Sequence, residues 1–187
     1  MKIKVCGMKN PHNIKALAAL QPDMMGMIFY AKSARNAMDL PAEAIELISP
    51  KTRKAGVFVN PTLTEVVETA TKYQLDFAQL HGQESPGFVA SIAGFLPVIK
   101  AFSIADAASF DNTIQYEGLC DYFLFDTAGK QPGGNGINFD WELLKQYKGK
   151  TPFFLAGGIS EENIDALLNF QHPQFAGIDL NSRFETE

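Results

Sequence analysis

Eight short apolar runs recur along the chain: IKVCG from Ile3, MMGMIFY from Met24, KAGVFVN from Lys54, DFAQLHG from Asp76, PVIKAF from Pro97, DYFLFDT from Asp121, PFFLAGG from Pro152 and FAGIDLN from Phe175. Each is continuously apolar rather than alternating, which is how strands buried on both faces of a parallel sheet read. Amphipathic segments lie between them. In HNIKALAAL, Ile14, Leu17 and Ala18 fall on one helical face. PAEAIELIS opens on Pro41, a residue suited to a first helical turn. TLTEVVETATKY opens on Thr62 with Glu65 three residues on, a capping-box pattern. SEENIDALLNF repeats that device more weakly with Ser160 and Asn163. The stretch from Ile104 to Tyr116 carries the poorest helical pattern of the set.

Strands alternating with helices imply a parallel sheet joined by right-handed crossovers. Eight strands favour closure into a (β/α)8 barrel, the TIM-barrel architecture, as one domain over residues 1–187. An open doubly wound sheet is the alternative, but its dinucleotide-binding version needs a Gly-rich turn after the first strand, and CGMKN supplies none. The eighth run ends near Leu180, and NSRFETE is too short for an eighth helix. The last helix is therefore missing from this sequence, either cut away or lacking order, and strands eight and one should carry uncovered apolar surface.

Charge and composition narrow the partners. The 187 residues carry a formal net charge of −5 with no basic block, which argues against nucleic acid or an anionic membrane. Only Cys6 and Cys120 are present, too few for a disulfide framework in a chain of this length. The start, MKIKVCGMKN, has too short an apolar run for a signal peptide, and no stretch approaches the ~20 apolar residues that span a bilayer. These features predict a soluble cytoplasmic protein. The three histidines are scattered and no CxxC occurs, so no metal site is expected.

In such a barrel the chemistry gathers at the carboxyl ends of the strands. Read in order, those ends offer Cys6, Tyr30 to Arg35, Asn60, His81, Phe102, Asp126, Gly157 with Gly158, and Asp179 to Ser182. Asp126 directly follows YFLF, so its carboxyl group faces the barrel mouth and suits a general acid, or else caps a loop amide. Cys6 becomes a base only where positive charge or amide dipoles favour its thiolate; otherwise it is a small buried hydrophobe. Cys120 precedes the sixth strand, at the opposite end, and has no part in the site. Arg35 can grip a planar carboxylate in a bidentate fork, or be merely solvated. His81 is either a ligand contact or a satisfied strand-end histidine. AGG, ending at Gly158 just before the segment from Ser160, offers backbone amides to an anion, with Asn181 and Ser182 alongside, or forms a simple tight turn. PGGNG, residues 132–136, lacks the ending of a phosphate-binding P-loop and reads as a lid.

Together these segments resemble the phosphoribosylanthranilate isomerase family of tryptophan biosynthesis. The resemblance runs in order through KVCGM, GMIFYAKSAR, GVFVN, QLHG, VIKAF, LFDT with GGNGINFDW, LAGGI and GIDLNS. It implies a TIM barrel and an intramolecular oxidoreductase of the aldose–ketose isomerase type. The reaction would be the Amadori rearrangement of N-(5-phosphoribosyl)anthranilate to 1-(2-carboxyphenylamino)-1-deoxyribulose 5-phosphate, by general acid–base catalysis. It further implies Asp126 as acid, Cys6 as base, Arg35 on the anthranilate carboxylate, His81 in the substrate site, and Gly157, Gly158, Asn181 and Ser182 on the phosphate. No cofactor is implied, because the substrate nitrogen serves as electron sink; a monomer or homodimer is expected. Two departures stand out: Asn181-Ser182-Arg183 replaces the family's usual Ser-Ser-Gly, and the tail that forms the last helix is missing.

Related barrels compete for the assignment. A histidine-pathway isomerase of the same chemistry carries aspartate at the end of strand one, where this chain has Cys6. Indole-glycerol-phosphate synthase uses a lysine acid, and Lys100 stands in a different motif context. A barrel that only binds a phosphorylated ligand would not need both an acid and a base.

Overall fold

The computed structural model describes residues 1–126 and 141–181. All eight apolar runs form strands: β1 (Lys2–Val5), β2 (Met24–Ile28), β3 (Arg53–Phe58), β4 (Phe77–Leu80), β5 (Val98–Ser103), β6 (Tyr122–Asp126), β7 (Phe153–Ala156) and β8 (Phe175–Leu180). Each pairs in parallel with its successor, and β1 pairs with β8 from Lys2↔Gly177 to Val5↔Leu180, closing the barrel. The closure depends on Gly177, since a Cβ there would lie 2.1 Å from the Lys2 carbonyl oxygen.

Side chains along a strand alternate between the two faces of the sheet, and both faces are buried. Met24, Ala55, Ile99, Ala101, Leu124 and Phe154 fill the barrel interior. A larger apolar layer, including Met25, Phe58, Phe123, Phe125 and Phe153, faces outward against the connecting segments. The outer wall is thin in places: Ile3 on β1 is 39% exposed and Leu168 65%.

Among the described residues, four connections contain an α-helix. α1 (Pro11–Ala19) is capped by the Asn10 side chain, which accepts from the His12 amide, and it buries Ile14. α2 (Leu63–Tyr73) has the expected capping box, with both Thr62 and Glu65 engaged. α3 (Pro86–Ala93) starts after Ser85, whose hydroxyl accepts from the Phe88 amide. SEENIDALLNF divides into a 3-10 turn (Glu161–Asn163) and a short α4 (Ile164–Asn169), with the Ser160–Asn163 box formed as expected.

The other crossovers depart from the α-helical expectation. PAEAIELIS forms a 3-10 turn over Ala42–Leu47, with Pro41 outside it as the cap. The weak pattern before Tyr116 resolves into 3-10 turns over Ala107–Tyr116, and Trp141–Gln146 is also 3-10. The reason is local. Asp106 and Ser109 satisfy one another's backbone in a tight box, and β-branched Thr113 sends its hydroxyl back to the Phe110 carbonyl. The predicted lid at 132–136 and the phosphate candidate Ser182 lie outside the described residues. Among the described residues, no helix is long and apolar enough to cross a membrane.

Candidate active site

The carboxyl ends of the strands surround a cavity of about 250 Å³. Its lining includes Cys6, Arg35, His81, Asp126, Gly157, Gly158 and Asn181, so seven of the eight residues singled out in the sequence meet at one place. The eighth is Ser182. Lys32, from the same loop as Arg35, is exposed and does not line the cavity.

Strand parity explains the convergence. Cys6 follows β1 and lies two residues beyond Lys4; Asp126 ends β6 two residues beyond Leu124; His81 follows β4 two residues beyond Gln79. All share the inward face with the interior residues below them. The backbone then turns sharply: Gly7 has φ +89°, and both its amide and that of Met8 donate to the Gly26 carbonyl. Gly26 itself leaves room for the thiol, because a Cβ there would lie 2.6 Å from Cys6 Sγ.

Cys6 is only 5% exposed. Burial pushes its thiol up from the ordinary value, and Asp179 adds to this, while the Lys4 ammonium pulls it down. Lys4 Nζ donates to Asp179 Oδ2 at 2.6 Å, a buried ion pair across the β1–β8 seam. Burial works against the Lys4 charge, but Asp179 and Cys6 outweigh it, so Lys4 stays above the usual lysine range. The contact has the length of a charge-assisted hydrogen bond; although burial also pushes Asp179 up, we take the pair as ionic.

Across the cavity, His81 Nε2 lies 3.8 Å from Asp126 Oδ2, and its Nδ1 is 3.2 Å from Gln79 Nε2. The His81 loop is pinned from outside the barrel. Ile99 and Ala101 point inward, so Lys100 between them points outward, away from the mouth. Its ammonium pairs with Glu84 Oε2 at 3.2 Å and donates to the Leu80 and Gly82 carbonyls that flank His81. Glu84 Oε1 accepts from the Asn60 and Gly82 amides. Lys100 is thereby a clamp, and not the counterpart of a synthase acid.

Arg35 is set by the loop after β2: Ser33 Oγ accepts from its amide, and Lys9 holds the Ala34 carbonyl at 2.8 Å. The turn after β7 has Gly157 at φ +80° and Gly158 at φ +66°, values that side-chain-bearing residues rarely adopt. Asn163 Nδ2 donates to the Gly158 carbonyl at 2.6 Å and fixes that turn at the cavity wall.

Sequence reasoning missed three contributors: Lys4, Gln79 and Gly26. For Lys4 and Gln79 a signal existed. Both are polar residues inside an apolar run, and each stands two positions before a named site residue, on its face of the strand. Gly26 carried no signal beyond being a glycine within a strand. Cys120 sits before β6 as expected, with its thiol pushed up to about 12, mainly by burial.

Comparison with known proteins agrees with this geometry. The family model described as N-(5'phosphoribosyl)anthranilate (PRA) isomerase matches residues 3–187. The N-(5'-phosphoribosyl)anthranilate isomerase of Parabacteroides distasonis is 51% identical over 193 residues, covering 100% of this chain and 86% of the relative. That of Phocaeicola vulgatus is 46% identical, covering 100% and 89%. Among solved structures, the Thermotoga maritima phosphoribosyl anthranilate isomerase superposes with TM-score 0.85 at 28% identity, over 100% of this chain and 90% of that one. A phosphoribosyl anthranilate isomerase in complex with reduced 1-(o-carboxyphenylamino)-1-deoxyribulose 5-phosphate gives 0.79 at 26%, with the same coverage. With the barrel, the strand-end residues and these matches in agreement, the chain belongs to the N-(5'-phosphoribosyl)anthranilate isomerase family.

Proposed function

We propose that the cavity catalyses the Amadori rearrangement of N-(5-phosphoribosyl)anthranilate, with Asp126 as general acid and Cys6 as general base. The observation that carries this reading is that a buried thiol from β1 and a carboxyl group from β6 open onto one cavity. Asp126 gives its proton to the furanose ring oxygen while the substrate nitrogen forms a C1=N bond and the C1–O bond breaks. Cys6, as thiolate, takes the proton from C2; those electrons form C1=C2 and those of C1=N return to nitrogen. Protonation at C1 and loss of the C2 hydroxyl proton then give the aminoketose, an isomer of the substrate. The reaction consumes no external oxidant or reductant.

Around that pair, Arg35 holds the anthranilate carboxylate. Gly157 and Gly158, with Asn181 and Ser182, receive the phosphate through backbone amides and the two side chains. His81, 3.8 Å from Asp126, contacts the substrate beside the acid. The solved complex with a reduced aminoketose phosphate, in a related protein, supports a substrate of this kind. Two free thiols support a reducing, cytoplasmic setting. A dimeric Thermotoga maritima relative, also solved as engineered monomers, supports a monomer or homodimer.

The test is decay of substrate fluorescence with freshly generated phosphoribosylanthranilate. The unmodified protein should turn the substrate over, and Asp126→Asn and Cys6→Ser should each lose about 10²-fold or more in kcat, the usual contribution of a positioned acid or base. Full activity in either variant removes that residue from its role.

A further inference from the structure

The reaction scheme leaves a charged group unused at the floor of the site. Lys4 is fully buried, on the inward face of β1, two residues before Cys6. Its partner Asp179 is its register neighbour on β8, and the two meet at 2.6 Å. The second oxygen, Asp179 Oδ1, is buried and has no hydrogen-bond partner among the described residues. The pair is an expensive way to fill a barrel, since apolar residues of similar volume commonly serve stability as well or better. Its position points to another role. Lys4 and Cys6 share the inward face two residues apart, so the ammonium stands beside the sulfur and its charge favours the thiolate.

Besides Lys4, the Gly7 amide favours the thiolate, and the remaining groups around that sulfur give it little help. β2 presents Gly26, which has no side chain. β8 presents the Asp179 carboxylate, which disfavours a second negative charge. His81 and Asp126 face it from β4 and β6 as a pair 3.8 Å apart, and the aliphatic part of Arg35 packs at Gly7. Burial itself is the largest force against ionisation.

We propose that Lys4 is a positioning residue for the base: held in place by Asp179, its ammonium stabilises the Cys6 thiolate inside the barrel. The proposal rests on the reading of Cys6 as the base, and its test separates the two. In this arrangement Asp179 fixes where the ammonium sits, and Lys4 supplies the charge. Arginine at position 4 would keep the charge; methionine would keep the length and lose it.

The experiment follows iodoacetamide alkylation of Cys6 against pH in a Cys120→Ala background, where Cys6 is the sole thiol, alongside the pH dependence of kcat/KM. Lys4→Met should move the alkylation midpoint up by about one pH unit or more, roughly a tenfold slower reaction on the acid side of the midpoint. The acid limb of kcat/KM should move with it. Lys4→Arg should restore the midpoint. Since Lys4→Met leaves Asp179 buried without its partner, the doubly neutral Lys4→Met/Asp179→Leu provides a second, well-packed variant, which should show a smaller shift in the same direction. An unmoved midpoint in both variants, with only a lower Tm, makes the pair structural and overturns the proposal. A moved midpoint in a protein that never turns over the isomerase substrate keeps the Lys4 assignment and overturns the reading of the reaction instead.

Discussion

Position 26 shows how little freedom surrounds the reactive sulfur. Alanine there would bring a methyl group to 2.6 Å from Cys6 Sγ and 3.2 Å from the Cys6 Cα. The thiol must then turn aside or β1 must shift. Overpacking of this kind costs about 1–3 kcal/mol. We expect Gly26→Ala to melt several degrees lower and to lose about 10²-fold in kcat, the scale of an ångström-sized misplacement of a catalytic group. Thermal melting and the fluorescence assay on one preparation check both. A variant with unchanged kcat shows that the thiol does not need its observed position. His81 and Asp126 were legible in the sequence because each stands at the end of an apolar run, where a polar residue has no packing reason to be; Arg35 was legible only as a loop arginine five residues past its run. Lys4 stood out only as a polar residue within an apolar run; its pairing was not legible, because the run says nothing of a partner 175 residues away.

At the scale of elements, the helix starts written in side-chain oxygens were the most legible. Thr62 accepts from the Glu65 amide at 3.2 Å, while Glu65 Oε2 accepts from the Thr62 amide and hydroxyl. Thr62→Ala removes half of that box and should cost about 1 kcal/mol, lowering Tm by roughly 2–4 °C in a chain of this size. An unchanged Tm shows that α2 is held by its buried face, at Val66 and Tyr73, rather than by its cap. The α-to-3-10 departures were not legible. Over Ala42–Leu47 only Ala44 and Ile45 are buried, and a single buried turn does not dictate which hydrogen-bond spacing closes it. Strand positions fared better, since continuous apolar runs bounded by polar residues have few other uses in a chain of this composition.

For the whole molecule, groups far from the cavity add to the alkaline side of the stability profile. The Cys120 thiol ordinarily ionises near 9 and is pushed up to about 12 in the fold, first by burial. The folded state thus holds this proton more tightly than the unfolded one. The stability it contributes is whole below about 9 and is lost as pH rises towards about 12. Tyr147 acts in the same sense: burial, then its 2.8 Å hydrogen bond to Glu117 Oε1, pushes its phenol up. Tm should therefore fall as pH rises above about 9, and Cys120→Ala, though less stable at neutral pH, should fall less steeply. Parallel alkaline slopes for the two proteins, measured by scanning calorimetry, would falsify this assignment.

The seam between β1 and β8 has a consequence for the birth of the protein. The first strand leaves the ribosome long before the last, and domains with distant partners cannot finish folding until the partner emerges. Lys4 is translated 175 residues before its counter-ion Asp179, and the ring acquires its last ladder only with Phe175–Leu180. Until then the nascent chain carries an ammonium that must stay in water. β1 is therefore kept from settling into an apolar interior until the strand that neutralises it arrives.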